Sequence, residues 1–365
     1  MDTPAPSSRI DSLDILRGLM ALGVAFYHLS IWDRVFDTGT AWNRAVAFVG
    51  NYGVEGFFII SGFCFFHIYG ESAWNRRSLL SFHIKRFFRI APLYYVAIIL
   101  NLLLSQARGP EPTARMLIEN ATLTFGLFHP NHSLVLGGWS VGLEYVFYMA
   151  LPILTWATRR KAFLYLGLLA LLALALPWNF GKVQAASLAG DAKFHTYVQI
   201  PNHAFLFLLG GATAHLRSLT ARRLSRRLFL ALGAVLLLAI AWQLPMFYDH
   251  FDILAGLQRF RLLGLVLLAV LLFAFFEVPE GWFKRPLVLL GDWSYSIYLV
   301  HPFAALALSQ ALPAETPTAP RFLGSLVLTL ALSALTHRWI EIPAMGLGRR
   351  WAASLAKSPH NRHHG

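Results

Sequence analysis

Charge is what this sequence has least of. Asp, Glu, Lys and Arg make up only 13% of its 365 residues, about half the share found in soluble globular chains. It has a single cysteine, Cys64, which excludes an internal disulfide and any cysteine-built metal cluster. Acidic residues are scarcer than basic ones, 18 against 31, leaving a formal net charge of +13. No fixed-period repeat or low-complexity block interrupts the chain. No small-residue cleavage site follows the first apolar run, which also carries Arg17, so that run is read as a retained span and not a signal peptide. Apolar residues are what is abundant: 56% of the chain is hydrophobic, with a mean hydropathy of +0.53. Together these values describe a polytopic membrane protein.

Crossing a bilayer takes roughly 20 mostly apolar residues. Ten runs qualify, at 14–31, 45–68, 90–106, 140–157, 162–180, 202–216, 228–245, 260–277, 293–312 and 321–341. The expected fold is therefore all-α, with about ten transmembrane helices. Between 107 and 139 lies a stretch punctuated by Pro and Gly, whose middle, RMLIENATLTFGLFH, reads as a short interfacial or re-entrant helix. An amphipathic segment, SLLSFHIKRFFRI (78–90), precedes the third span. Lys and Arg favour alternate connections by more than two to one, clustering at Arg76–Arg89, 159–161 and Arg217–Arg227 and again beyond Arg338. By the positive-inside rule both termini are cytoplasmic. The basic balance then faces anionic lipid and gives no reason to expect nucleic-acid binding. Residues 1–345 form the membrane domain and 346–365 a cytoplasmic tail, whose end, HNRHHG, reads as solvated and not as a metal site.

Within these runs the polar residues carry the information. The first span, LDILRGLMALGVAFYHLS, holds Arg17 near its inner end and His28 near its outer end. Eleven residues at about 100° each close three turns with about 20° to spare, so both side chains share one face, about 16 Å apart along the axis. Ionisable residues in spans usually face the protein interior and mark functional sites. The second span, NYGVEGFFIISGF, contains Glu55 and Ser61 among glycines that permit close helix approach. The fourth opens GGWSVGLEYVFY, with Glu144 one to two turns below the outer surface. The ninth contains SYSIYLVHP, with His301 near mid-membrane. Four such groups on different spans imply a polar cavity through the bundle.

Five of these features occur together in one family. R-x10-H in the first span, GVEGFFIISGF, R-x-x-R (Arg86 to Arg89), GGWSVGLEYVFY and SYSIYLVHP, in this order, resemble the acyltransferase 3 family of integral membrane acyltransferases. The resemblance runs from about residue 9 to about 345. It implies transfer of an acyl group, commonly acetyl, from cytoplasmic acyl-CoA to an acceptor across the membrane, such as an envelope sugar. It implies no permanently bound cofactor and no metal; acetyl-CoA enters as the donor substrate. Many members carry a further extracytoplasmic hydrolase-like domain, and this sequence resembles the stand-alone type.

The resemblance also suggests roles. Arg17, Arg86 and Arg89 become candidates for binding acyl-CoA, whose phosphates suit the planar guanidinium fork. The extended pantetheine arm, on the order of 15–20 Å, matches the axial separation of Arg17 and His28. His28 is the candidate to accept a proton from the acceptor hydroxyl, with Glu144, or less simply Glu55, as the carboxylate that orients it. Direct transfer and an acyl-His intermediate both fit. Trp139, Ser140, Tyr145 or Tyr295 are candidate donors to the oxyanion, with Ser61 and His301 in support. The acceptor is expected to be an exopolysaccharide or another envelope glycan, and the location the cytoplasmic (inner) membrane. The alternative is a transporter, since buried charges on broken helices suit one. No inverted repeat of the motifs is visible to favour it.

Overall fold

A computed structural model describes residues 9–37, 39–105, 112–186, 190–246, 252–313 and 315–357. Among them the only β-interaction is one isolated bridge, Leu224 to Phe276. Everything else is helix and connection. The fifteen α-helices are α1 (Asp11–Trp32), α2 (Ala41–Tyr69), α3 (Arg76–Ser105), α4 (Ala114–Ala121), α5 (Phe125–Phe128), α6 (Gly138–Ala157), α7 (Lys161–Pro177), α8 (Gly190–Tyr197), α9 (Ala204–Ser218), α10 (Arg226–Gln243), α11 (Gly256–Ala274), α12 (Lys284–Asp292), α13 (Ser294–Ala311), α14 (Thr318–Thr336) and α15 (Ile342–Lys357). Without water to bond their peptide groups, spanning segments must satisfy them internally, and helices do so. The protein is an all-α polytopic membrane protein, in which eight helical stretches are long and apolar enough to cross a bilayer.

The expected spans 202–216 and 293–312 form α9 and α13, which are not among those eight. At 15 residues, α9 is about 22 Å long. It is wedged into the bundle against α2, where a Cβ on Gly62 would fall 2.0 Å from the Phe207 carbonyl oxygen and one on Gly210 2.0 Å from that of Ile59. Protein, not lipid, surrounds it, so packing sets its length. By contrast α10 has no buried residue and lies on the periphery.

Two expected boundaries differ. The amphipathic 78–90 segment and the third span form one 30-residue helix, α3, running through Pro92. At about 45 Å it exceeds the hydrocarbon thickness, so its basic first third extends past the bilayer. Likewise the tenth span does not end at 341. A π-helical turn, His337–Glu341, joins α14 to α15. The segment read as a tail from 346 is helical to 357 and packs on α3, with the Phe88 and Trp351 rings 5.8 Å apart; the HNRHHG end lies outside the described residues.

A buried polar knot ties α2 to α11. Glu55 and Arg259 are 1% and 0% exposed. Arg259 donates to both carboxylate oxygens, at 2.8 and 3.3 Å, and to the Asn202 carbonyl at 2.8 Å. The Tyr197 hydroxyl donates to the same carboxylate at 2.6 Å. The apolar run at 260–277 left Arg259 just outside the span; α11 begins four residues earlier, at Gly256, and draws Arg259 inside to neutralise Glu55. Breaking such a pair leaves an uncompensated charge at a cost of about 3–5 kcal/mol, whereas replacing both partners with apolar groups is often neutral. Arg259→Leu should therefore collapse the detergent-solubilised melting temperature, and Glu55→Leu/Arg259→Leu should recover most of it. A double variant no more stable than the single would show that the pair does not hold α2 to α11 by charge compensation.

Candidate functional site

Helices α1, α2, α3, α6 and α13 enclose a cavity of about 150 Å³. Arg17, Arg86, Arg89, Ser61, Ser140, Glu144 and Tyr295, all singled out from sequence, line it, together with Cys64 and Tyr298. Its arginines gather at the end of the bundle where α1 begins. They are not equivalent. Arg17 bonds Asp14 at 3.1 Å, the Gly291 carbonyl at 3.2 Å and Ser294 Oγ at 3.3 Å. Arg89 bonds Glu341 Oε2 at 2.7 Å, and Ser296 donates to the other oxygen of that carboxylate. Glu341 is brought there by the π turn at 337–341; it was missed because it looked like the edge of an apolar span.

Arg86 differs from both. Its guanidinium lies over the Phe65 ring at 4.5 Å and the Phe82 ring at 5.5 Å, with the Tyr69 hydroxyl at 3.4 Å. Among the described residues no carboxylate oxygen comes within 4.0 Å of it, and its buried Nε has no hydrogen-bond partner. Arg86 thus presents to the cavity a positive charge outside any close ion pair, held in place by aromatic faces, with Glu144 lining the same cavity.

At the opposite end the cavity closes on Tyr298, whose hydroxyl donates to the Gly137 carbonyl at 2.7 Å and lies 2.7 Å from Ser140 Oγ. Gly137 caps α6 in the left-handed region (φ 74°), a conformation that favours glycine. This explains the paired glycines before Trp139. Directly behind Tyr298, 6.3 Å between rings, are His301 and His28. His301 Nε2 and His28 Nδ1 are 3.1 Å apart, the rings are stacked at 5.1 Å, and Trp32 covers both.

This contact fixes the protons. His301 Nδ1 faces the Ile297 carbonyl at 3.1 Å, and a carbonyl only accepts, so Nδ1 carries hydrogen. In neutral His301 the Nε2 is then bare and accepts from His28 Nδ1–H. That leaves His28 Nε2 as a free lone pair. His301 is 1% exposed, while His28 is only half-buried.

The carboxylates expected beside His28 are elsewhere. Glu144 accepts from Ser61 Oγ at 3.0 Å and from Tyr148, one turn along its own helix. Glu55 is saturated by Arg259 and Tyr197. A histidine, not a carboxylate, orients His28. Trp139 packs in the core against His203 and Tyr197 and does not line the cavity. Tyr295 lines it, but its hydroxyl is bonded to the Ile90 carbonyl at 2.7 Å.

Comparison with known proteins agrees with this geometry. The family described as an acyltransferase domain matches residues 10–338. The chain belongs to the acyltransferase 3 family. The matched family is described as an acyltransferase domain, which favours that reading over the transporter alternative. A similar curated protein is the peptidoglycan O-acetyltransferase OatA of Listeria monocytogenes, 24% identical over 367 residues that cover 92% of this chain. The match covers 55% of the length of that relative. No solved structure matches.

The unequal arginines lead to unequal stability effects. Arg89→Ala leaves Glu341, 2% exposed, as a buried charge without its cation, costing about 3–5 kcal/mol. Arg86→Ala removes only ring contacts, on the order of 1–2 kcal/mol. Thermal unfolding in detergent should rank wild type and Arg86→Ala well above Arg89→Ala, with Glu341→Gln partly rescuing the latter. Equal destabilisation by the two alanines would contradict the assigned pairing.

Proposed function

We propose that this acyltransferase moves an acyl group, most simply acetyl, from acyl-CoA to a hydroxyl of an envelope carbohydrate. The observation that carries the proposal is the cavity itself. It begins at Arg86, which is in no ion pair, and closes on Tyr298, whose ring packs on His301, the hydrogen-bond partner of His28. The donor enters from the cytoplasm, with its phosphates held by Arg86 and by Arg17 and Arg89 at the mouth, and its pantetheine arm extends toward Tyr298. His28 Nε2 takes the proton of the acceptor hydroxyl as the hydroxyl oxygen attacks the thioester carbonyl. The tetrahedral intermediate collapses, the C–S bond breaks, and the imidazolium returns its proton to the CoA thiolate. His301 acts as a positioning residue, because its Nε2 holds His28 in the tautomer that attacks. Ser140, beside Tyr298 at the cavity end, donates its hydroxyl to the Gly137 carbonyl at 3.1 Å, and would serve the oxyanion by turning away from that carbonyl. Donor sidedness puts the chain in a cytoplasmic membrane. A relative named for acetylating peptidoglycan supports a glycan acceptor, and exported polysaccharide remains the narrower expectation.

Labelled acetyl-CoA incubated with membranes should release CoA only when a glycan acceptor is present. Acceptor-independent hydrolysis, or none, would reject the reading. Reporter fusions test the sidedness: Thr220 should read as cytoplasmic and Asn131 as extracytoplasmic. The reverse would place the arginines on the wrong side for acyl-CoA.

Binding and chemistry should separate by residue. Arg86→Ala should weaken acyl-CoA binding by about 10- to 150-fold, the loss of one charge-assisted bond at roughly 1.5–3 kcal/mol. His28→Ala should bind donor normally and lose turnover by at least about 10²-fold. Wild-type rate should fall toward acid pH, because an imidazolium cannot accept a proton. His301→Ala should shift that pH profile without changing donor KM, and His301→Gln, which keeps an acceptor for His28 Nδ1–H, should restore part of the rate. A folded His28→Ala enzyme running above a tenth of the wild-type rate would remove His28 from the chemistry.

A further inference from the structure

The segment between α3 and α6 holds a second group of ligand-type side chains. Glu119 lies on α4; His129 and His132 flank the tight 3-10 turn Pro130–His132 that follows α5. Both imidazoles aim the same nitrogen at one carboxylate. His129 Nδ1 is 3.0 Å from Glu119 Oε1 and His132 Nδ1 is 3.1 Å from Oε2. The rings are stacked at 4.5 Å and within 13° of parallel. One ligand atom from each of the three residues lies within 4.8 Å of the others. The glutamate side chain is 9% exposed and the histidines 31% and 27%, so the cluster has a closed floor and an accessible top.

We propose that Glu119, His129 and His132 bind a divalent cation of the zinc class, with a fourth position open to solvent or to a ligand oxygen. Two imidazoles and a carboxylate are a donor set that zinc takes. Ligand atoms about 2.0–2.1 Å from a tetrahedral ion lie about 3.3 Å from one another, so the two His–Glu separations need to widen by only a few tenths of an ångström, and all three ligand atoms already lie within 4.8 Å of one another. The turn that carries His132 is already fixed. Asn120, 0% exposed, donates from Nδ2 to the His132 carbonyl at 2.8 Å, while its Oδ1 accepts from Tyr94 at 2.8 Å and from the Leu134 amide at 3.0 Å. Such supporting bonds orient metal ligands.

Arg115 now takes the place of the cation. Its Nε bonds Glu119 Oε1 at 2.8 Å. Its Nη2 is nearly equidistant from the two nitrogens of His129, at 3.2 and 3.1 Å, and so points at neither lone pair. With a side chain 64% exposed, Arg115 swings into solvent when the metal enters. The site has a structural consequence for the enzyme. Tyr94, which Asn120 engages, lies 3.0 Å from Ser133 Oγ, and Ser133 leads into the Gly137 turn that holds Tyr298. A metal joining α4 to the 129–132 turn clamps the frame of the cavity end.

The test uses full-length protein in detergent, with His360, His363 and His364 replaced by Gln so that the histidine tail contributes no metal. Chelator-stripped protein is titrated with Zn²⁺ alone and followed by calorimetry and metal analysis, and Co²⁺ is used as an absorption probe. The expected result is about one zinc per chain, a tetrahedral Co²⁺ band and a raised melting temperature. Glu119→Gln and His132→Ala should each weaken zinc by about 10²-fold or more. Arg115→Ala should tighten it, since a competing cation is gone; a purely structural ion-pair network gives no such gain. Absence of stoichiometric zinc in folded protein overturns the proposal. So does zinc affinity unchanged in Glu119→Gln/His132→Ala, or weakened in Arg115→Ala.

Discussion

A charge inside a bilayer protein must meet its opposite there or pay heavily in solvation, and this constraint organises the molecule. Arg259 is neutralised by Glu55, Arg89 by Glu341 and Arg17 by Asp14. Each pair joins elements or steadies an end: the first locks α2 to α11, the second locks α3 to the α14–α15 junction, and the third holds the start of α1. Against this background Arg86 departs from the rule. Its guanidinium rests on aromatic faces and one hydrogen bond to the Tyr69 hydroxyl, an arrangement that leaves it able to bind an anion without first breaking an ion pair. A polyanionic donor, as in the proposed function, would need one cation in that condition.

Much of the layout was readable from the sequence, because it rests on local patterns. Apolar runs of bilayer length located the helices. A spacing of eleven put Arg17 and His28 on one face, and polar residues in apolar surroundings pointed to the cavity wall. What was not readable is pairing over long separations. Glu55 meets a residue 204 positions away and Arg89 one 252 positions away, and no periodicity encodes either. The expected link between Glu144 and His28 rested on similar depth, which says nothing of azimuth. Glu144 faces Ser61 and Tyr148, and His301 takes the position beside His28. The 78–90 segment and the third span, read apart in the sequence, are one helix that continues through Pro92.

The histidine pair shows why a second imidazole serves where a carboxylate was expected. A carboxylate beside His28 would be another anion needing compensation in a region of low dielectric. His301 is neutral and almost fully buried, and it supplies the same directional information: an acceptor on one side, fixed by a backbone carbonyl on the other. It orients without adding charge. The cost is that it stabilises an imidazolium at His28 less than an anion would, so in the proposed reaction the proton would have to be passed on quickly to the departing thiolate.

Tyr298 links these elements. It lines the cavity on one side and packs against His301 on the other, and its hydroxyl is tied to the carbonyl of Gly137 at the left-handed turn that opens α6. Under the proposed function, donor and base would meet only if this ring yields, and its freedom to do so is set by how firmly the 113–137 segment holds the turn. That segment is anchored through Asn120, Tyr94 and Ser133, next to the Glu119 cluster. In the proposed reaction, control of the last few ångströms between thioester and imidazole would thus lie in the connection between two helices, with the apolar bundle as the rigid frame against which it works.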